Sequence, residues 1–124
     1  MIVEDDEDLL ENISLILESE GYEIIQASNG KIALDHLRQL SENERPNCIV
    51  LDLMMPVMDG KTFMETLIRE SPDLARIPIL IASARGHVDE DLVKLPSVKT
   101  IRKPFNIDVF LQTVEHQCGS IEER

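Results

Sequence analysis

Four short stretches carry the residues able to do chemistry: "MIVEDDEDLL" at the start, "CIVLDLMMPVMDG" from Cys48, "IPILIAS" from Ile77 and "SVKTIRKPF" from Ser97. Each ends an apolar run on polar groups: Glu4, Asp5 and Asp6 in the first, Asp52 in the second, Ser83 in the third and Lys103 in the fourth. A carboxylate set among apolar neighbours loses solvation, so Asp52 needs a strand end or a dedicated partner. Two carboxylates about 4 Å apart repel by about 4 kcal/mol at an effective dielectric of 20, so an acidic cluster needs a cation. Glu4, Asp5 and Asp52 count as -3 and Lys103 as +1, which leaves -2. One divalent ion balances that, and oxygen-only ligands favour Mg²⁺ or Mn²⁺ over zinc.

These groups can meet only if the intervening chain brings the ends of their runs to one edge. "CIVLD" and "IPILIAS" are short, β-branched runs of the kind found in strands buried on both faces. "MIVED", "YEIIQAS" from Tyr22 and "SVKTIRKPF" add three more candidates. Helical spacing fills the gaps. Leu9, Leu10, Ile13, Ile16 and Leu17 share one face of a helix closed near Gly21, and Asn29-Gly30 opens a second with Ala33, Leu37 and Leu40. Phe63, Met64, Leu67 and Ile68 mark a third, "HVDEDLVKL" a fourth stopped by Pro96, and Ile107, Phe110, Leu111, Val114 and Cys118 the last, with Asn106 as its N-cap. Strand and helix alternate five times, which predicts a five-stranded parallel sheet with helices on both faces and right-handed crossovers. Ligands of such sheets bind at the carboxyl ends of the strands, where every group above falls. Each alone has a plain structural role: Asp6 as N-cap of the first helix, Ser83 as a cap, Lys103 as a surface ammonium, Met54 as packing. Their convergence is what calls for chemistry.

Composition narrows the classes. A chain of 124 residues is one domain, long enough to bury a core without a disulfide or structural metal. Twenty-four acidic residues against 12 basic give a net charge of -12, which repels polyanions and argues against direct nucleic-acid binding. Cys48 and Cys118 are the only cysteines and lie far apart in sequence, so unpaired thiols in a reducing cytoplasm are expected. The acidic N-terminus does not fit a signal peptide, and no apolar run is long enough for a membrane span. His36, His87 and His116 are scattered over helical segments and offer no metal or catalytic set.

Taken in order, "VEDD", "GYEIIQASNGKIALDHL", "CIVLDLMMPVMDG", "PILIASA" and "KPF" resemble the receiver domain of two-component response regulators over nearly the whole chain. The resemblance implies a flavodoxin-like (βα)5 fold with strand order 2-1-3-4-5, occupying residues 1–118 with a tail over 119–124. It makes Asp52 the phosphoacceptor and Asp5 a Mg²⁺ ligand, with Glu4 acting through water and the backbone carbonyl of Met54 completing the set. Ser83 and Lys103 would hold the phosphoryl group, the Lys103-Pro104 peptide would be cis, and Met54 and Arg85 would tune the phosphoryl lifetime. A sensor histidine kinase or histidine phosphotransfer protein would be the donor. The output partner or effector domain is not readable, and a homodimer is compatible with the resemblance. Thr100 departs from the pattern, standing where the family places an aromatic reporter, and "LPSVKT" replaces the usual segment before it. A weaker or differently built readout on the face of helix four and strand five is therefore expected. The first strand is short before Glu4, as in a chain that begins late, and the ending fits either a stand-alone receiver or one excised from a longer protein.

Three other readings compete. A haloacid-dehalogenase-like phosphatase needs a second Asp two residues after the first, where Met54 stands. A flavin carrier needs a phosphate loop after the first strand, where "EDDED" would repel a phosphate. A receiver-shaped interaction module that is never phosphorylated would be favoured by loss of Asp52, Asp5 or Lys103, and all three are present.

Overall fold

The computed structural model describes residues 1–83 and 97–118. The readings made for a fourth helix over 87–95, for Arg85 and for the tail 119–124 lie outside the described residues. Five strands, β1 (Ile2–Val3), β2 (Gln26–Ala27), β3 (Ile49–Asp52), β4 (Ile79–Ser83) and β5 (Val98–Arg102), form one sheet in the order β2-β1-β3-β4-β5. Every pairing is parallel. Among the described residues the α-helices are α1 (Glu7–Ser19), α2 (Gly30–Gln39), α3 (Gly60–Glu70) and α4 (Ile107–Cys118).

The period-2 alternation of the strands divides the core into two layers. Ile49 and Leu51 of β3, with Ile79 and Ile81 of β4, pack with Ala33, Leu34 and Leu37 of α2 and Phe63, Met64 and Leu67 of α3. Val50 and Leu80 face the other way, onto Leu10, Ile13 and Leu17 of α1 and Phe110 and Val114 of α4. Caps fix where the helices begin. Asp6 Oδ1 accepts from the Leu9 amide (3.1 Å), Asn29 Oδ1 from Ile32 (2.9 Å) and Asp59 Oδ1 from Thr62 (2.8 Å), each relieving an amide that has no partner within its helix. Asn106 Oδ1 does the same for Asp108 at 2.8 Å. Gly21, just past α1, takes φ 95°, the left-handed conformation that suits glycine after a helix.

Several expectations need correction. The second strand is two residues long rather than spanning "YEIIQAS", because its partner β1 offers only Ile2 and Val3 to pair with. Ile68 and Ile107, assigned to apolar helix faces, are exposed, as the stripes of α3 and α4 are narrower than their sequence patterns. Cys48 and Cys118 are joined as a disulfide, with Cα atoms 5.1 Å apart. Their separation of 70 positions is closed by the sheet, because α4 runs back over β3 and ends beside the residue that precedes it.

Candidate functional site

Parallel register brings the polar strand ends together. Val3 is level with Leu51, Asp52 with Ala82, and Ser83 with Arg102, so Glu4, Asp52, Ser83 and Lys103 lie within a residue or so of one another along the same edge. Glu4 and Asp52 are buried, at 3% and 7% exposure, because each directly continues a core strand. One ligand oxygen from each of Glu4, Asp5 and Asp52 falls within 4.8 Å of the others, the three carboxylates expected to gather. Asp5 is exposed and Asp6 is turned to the N-terminus of α1, so the adjacent acids have divided roles.

Lys103 supplies the cation. Its Nζ is 2.5 Å from Glu4 Oε1 and 3.7 Å from Asp52 Oδ2. The second oxygen of Asp52, Oδ1, accepts from the Met54 amide at 3.1 Å, which fixes the carboxylate from its own loop. Burial pushes the Glu4 carboxyl above its usual range and its hydrogen bond with Asp52 adds to this, while Lys103 pulls the other way. A lysine cannot neutralise three acids. The donor set, all oxygen with two of its three carboxylates buried, suits a hard divalent cation such as Mg²⁺.

Neighbouring residues shape the approach. The Lys103-Pro104 peptide is cis. Met54 is 60% exposed, so the packing role considered for it does not hold. Gly60 begins α3 beside Asp52: a Cβ there would lie 2.7 Å from the Asp52 carbonyl oxygen and 2.8 Å from Leu53 Cα. The Gly60 amide donates to the Leu53 carbonyl at 3.0 Å, closing the loop that carries Met54. Within that loop Val57 has φ 69°, a conformation unusual for a β-branched residue. Ser83 ends β4, and Thr100 lies mid-strand on β5, level with Ile81 and exposed.

Two features escaped the sequence reading. The most direct contact of Lys103 is with Glu4, 99 positions away, and only the register of β1 could have revealed it. The Val57 backbone had no signal, since a left-handed turn is normally announced by Gly or Asn.

The chain belongs to the response regulator receiver domain family, whose model matches residues 1–115. It is similar to the transcriptional regulatory protein CpxR homolog of Haemophilus influenzae, 36% identical over 108 residues that make up 86% of this chain and 44% of that protein. It is likewise similar to the polar-differentiation response regulator DivK of Brucella anthropi, 30% identical over 123 residues covering 96% and 94% of the two chains. The chain thus spans less than half the length of the first relative and nearly all of the other. Among solved structures, response regulator TrrA of Thermotoga maritima, in complex with Mg²⁺-BeF, matches with a TM-score of 0.75 and 26% identity over 94% of this chain and 95% of that one. Among the described residues no helix is long and apolar enough to cross a membrane.

Proposed function

We propose that Asp52 accepts a phosphoryl group from a phosphohistidine of a partner, a sensor histidine kinase or histidine phosphotransfer protein, within a receiver unit spanning residues 1–118. The observation that carries this is the pairing of a buried Asp52 with two further carboxylates and one lysine at the carboxyl edge of the sheet. One oxygen of Asp52 is held by the Met54 amide, which leaves the carboxylate oriented for in-line attack. Lys103, within 3.7 Å of the other oxygen, can move from Glu4 to the incoming phosphoryl oxygens. Asp5, Asp52 and the Met54 carbonyl would hold Mg²⁺, or Mn²⁺ in its place, with Glu4 acting through water. Bound there, the ion supplies the positive charge that a transferring phosphoryl group requires. The Mg²⁺-BeF complex of the Thermotoga relative supports the same assignment.

Ser83 would hydrogen-bond the attached phosphoryl group, and Met54 and Arg85 would govern water access and so its lifetime. The added charge would bias the surface around β4 and β5, with Thr100 in the reporter position. Output through a partner or an effector domain, and residence in the cytoplasm, follow from the same reading.

Incubation with Mg²⁺ and acetyl phosphate, followed by intact mass, tests the acceptor. A gain of one phosphoryl group that disappears in Asp52→Asn and on Mg²⁺ removal is expected. No gain, or a gain retained in Asp52→Asn, would sink the assignment.

A further inference from the structure

The amino end of the sheet, opposite Asp52, carries chemistry that phosphoryl transfer does not use. Cys48 immediately precedes β3 and Cys118 is the last residue of α4, and their sulfurs are joined. The Cα separation of 5.1 Å lies within the span a disulfide bridges without backbone movement. A cavity of about 700 Å³ is lined by both cysteines, together with Ile2, Val50, Val114 and Leu17. Its rim includes the exposed Gly21, Glu23 and Glu44, so solvent reaches the bridge.

The bond is one of several contacts that hold α4 on the sheet. Phe110 and Val114 bury α4 against β3 and β4, and the Gln117 side chain donates to the carbonyls of Ile79 (3.0 Å) and Ser97 (2.6 Å). None of those contacts is made by a sulfur atom. Cys118 is half-buried on the terminal turn, where helices fray most readily, so opening the bond requires only the last turn to loosen.

We propose that Cys48 and Cys118 form a reversible dithiol–disulfide site that exchanges electrons with low-molecular-weight disulfides and, when oxidised, fixes the end of α4 to the start of β3. In the oxidising direction the Cys118 thiolate attacks one sulfur of glutathione disulfide, forming a mixed disulfide and releasing one glutathione thiolate. The Cys48 thiolate then attacks the Cys118 sulfur, forms the intramolecular bond and releases the second glutathione. Two electrons pass from the cysteines to glutathione disulfide, and the two cysteine protons end on the released thiols or in solvent. The cavity admits the small reactant to a site that a buried Cys48 alone would not offer.

The test is equilibration of the whole chain in glutathione buffers of stepped ratio, acid quenching, alkylation of free thiols and intact mass. Expected is a shift from two alkylated thiols in reduced buffer to none in oxidised buffer, reversible on returning the chain to the first. Cys48→Ser should take up one glutathione at Cys118, Cys118→Ser should take up far less at the buried Cys48, and neither should form an internal bond. Amide exchange over residues 114–118 should slow about tenfold on oxidation. Thiols that stay free at every ratio, a bond that no ratio reduces, bridges formed between chains, or unchanged exchange over 114–118 would each overturn the proposal.

Discussion

Lys103 Nζ lies 2.5 Å from Glu4 Oε1, joining the end of β5 to the end of β1 across the carboxyl edge of the sheet. The contact crosses 99 sequence positions and leaves the same ammonium 3.7 Å from Asp52. The ammonium beside Asp52 is thus shared with a second acid.

Removing that ammonium leaves two buried carboxyls facing each other. Lys103→Met is expected to lower stability at pH 7 by roughly 2–3 kcal/mol in urea unfolding, because proton uptake at Glu4 softens the loss of a buried pair. The same variant should take up phosphoryl from acetyl phosphate far more slowly than the parent. Parent-like rates would argue against a phosphoryl-binding role for Lys103.

Glu4 gives the metal-free protein a pH dependence. Its carboxyl titrates above its unfolded value of 4.5, so between the two values the folded chain holds a proton that the unfolded chain has released. Its contribution to stability is full below pH 4.5 and falls as pH rises through the folded value. Glu4→Gln should flatten that decline in thermal unfolding followed from pH 4 upward.

Gly60 should resist a side chain. Gly60→Ala sets a methyl 2.7 Å from the Asp52 carbonyl oxygen and 2.8 Å from Leu53 Cα, both backbone atoms with little freedom to yield. A loss of about 1–3 kcal/mol is expected, with slower acetyl phosphate labelling because Asp52 itself must shift. Gly30→Ala meets its nearest atoms at 3.0 to 3.2 Å, one of them on the Met58 side chain, and should be milder.

Val57 should respond in the opposite sense. Its φ of 69° strains a β-branched residue, and its side chain is 79% exposed, so little packing is lost on removing it. Val57→Gly is expected to raise stability by about 0.5–1 kcal/mol, the relief of left-handed strain offset in part by glycine's larger unfolded-state freedom. Urea unfolding of the pair measures it.

Reducing the Cys48–Cys118 bond reopens a loop of 70 positions. Chain entropy puts the resulting loss near 4 kcal/mol, and unfolding with and without reductant, checked against Cys118→Ser, reads it directly.

Most of the architecture was legible because it rests on short-range patterns. The apolar runs at 49–52 and 79–83 and the caps Asp6, Asn29 and Asn106 follow from local preferences that tertiary packing does not overrule here. The gathering of Glu4, Asp5 and Asp52 was legible through a topological rule, since parallel strands deliver their carboxyl ends to one edge. What failed depended on distance. Sequence separation said nothing of how near Cys48 and Cys118 would come, and which acid Lys103 would choose depended on side-chain reach rather than on residue type. The extents of β2 and of the exposed Ile68 and Ile107 turned on how much partner surface each element meets.

The alternation along β3 sends Leu51 into the layer of α2 and α3 and Val50 into the layer of α1 and α4, and Asp52 is the next residue in that sequence of turns. A slip of one residue in β3 would exchange the two layers and also rotate the Asp52 carboxylate away from Glu4 and Lys103. Core and site therefore share one alignment, and a mispaired sheet would be chemically silent as well as badly packed. The proposed phosphoryl labelling at Asp52 would thus also report whether the sheet is correctly threaded.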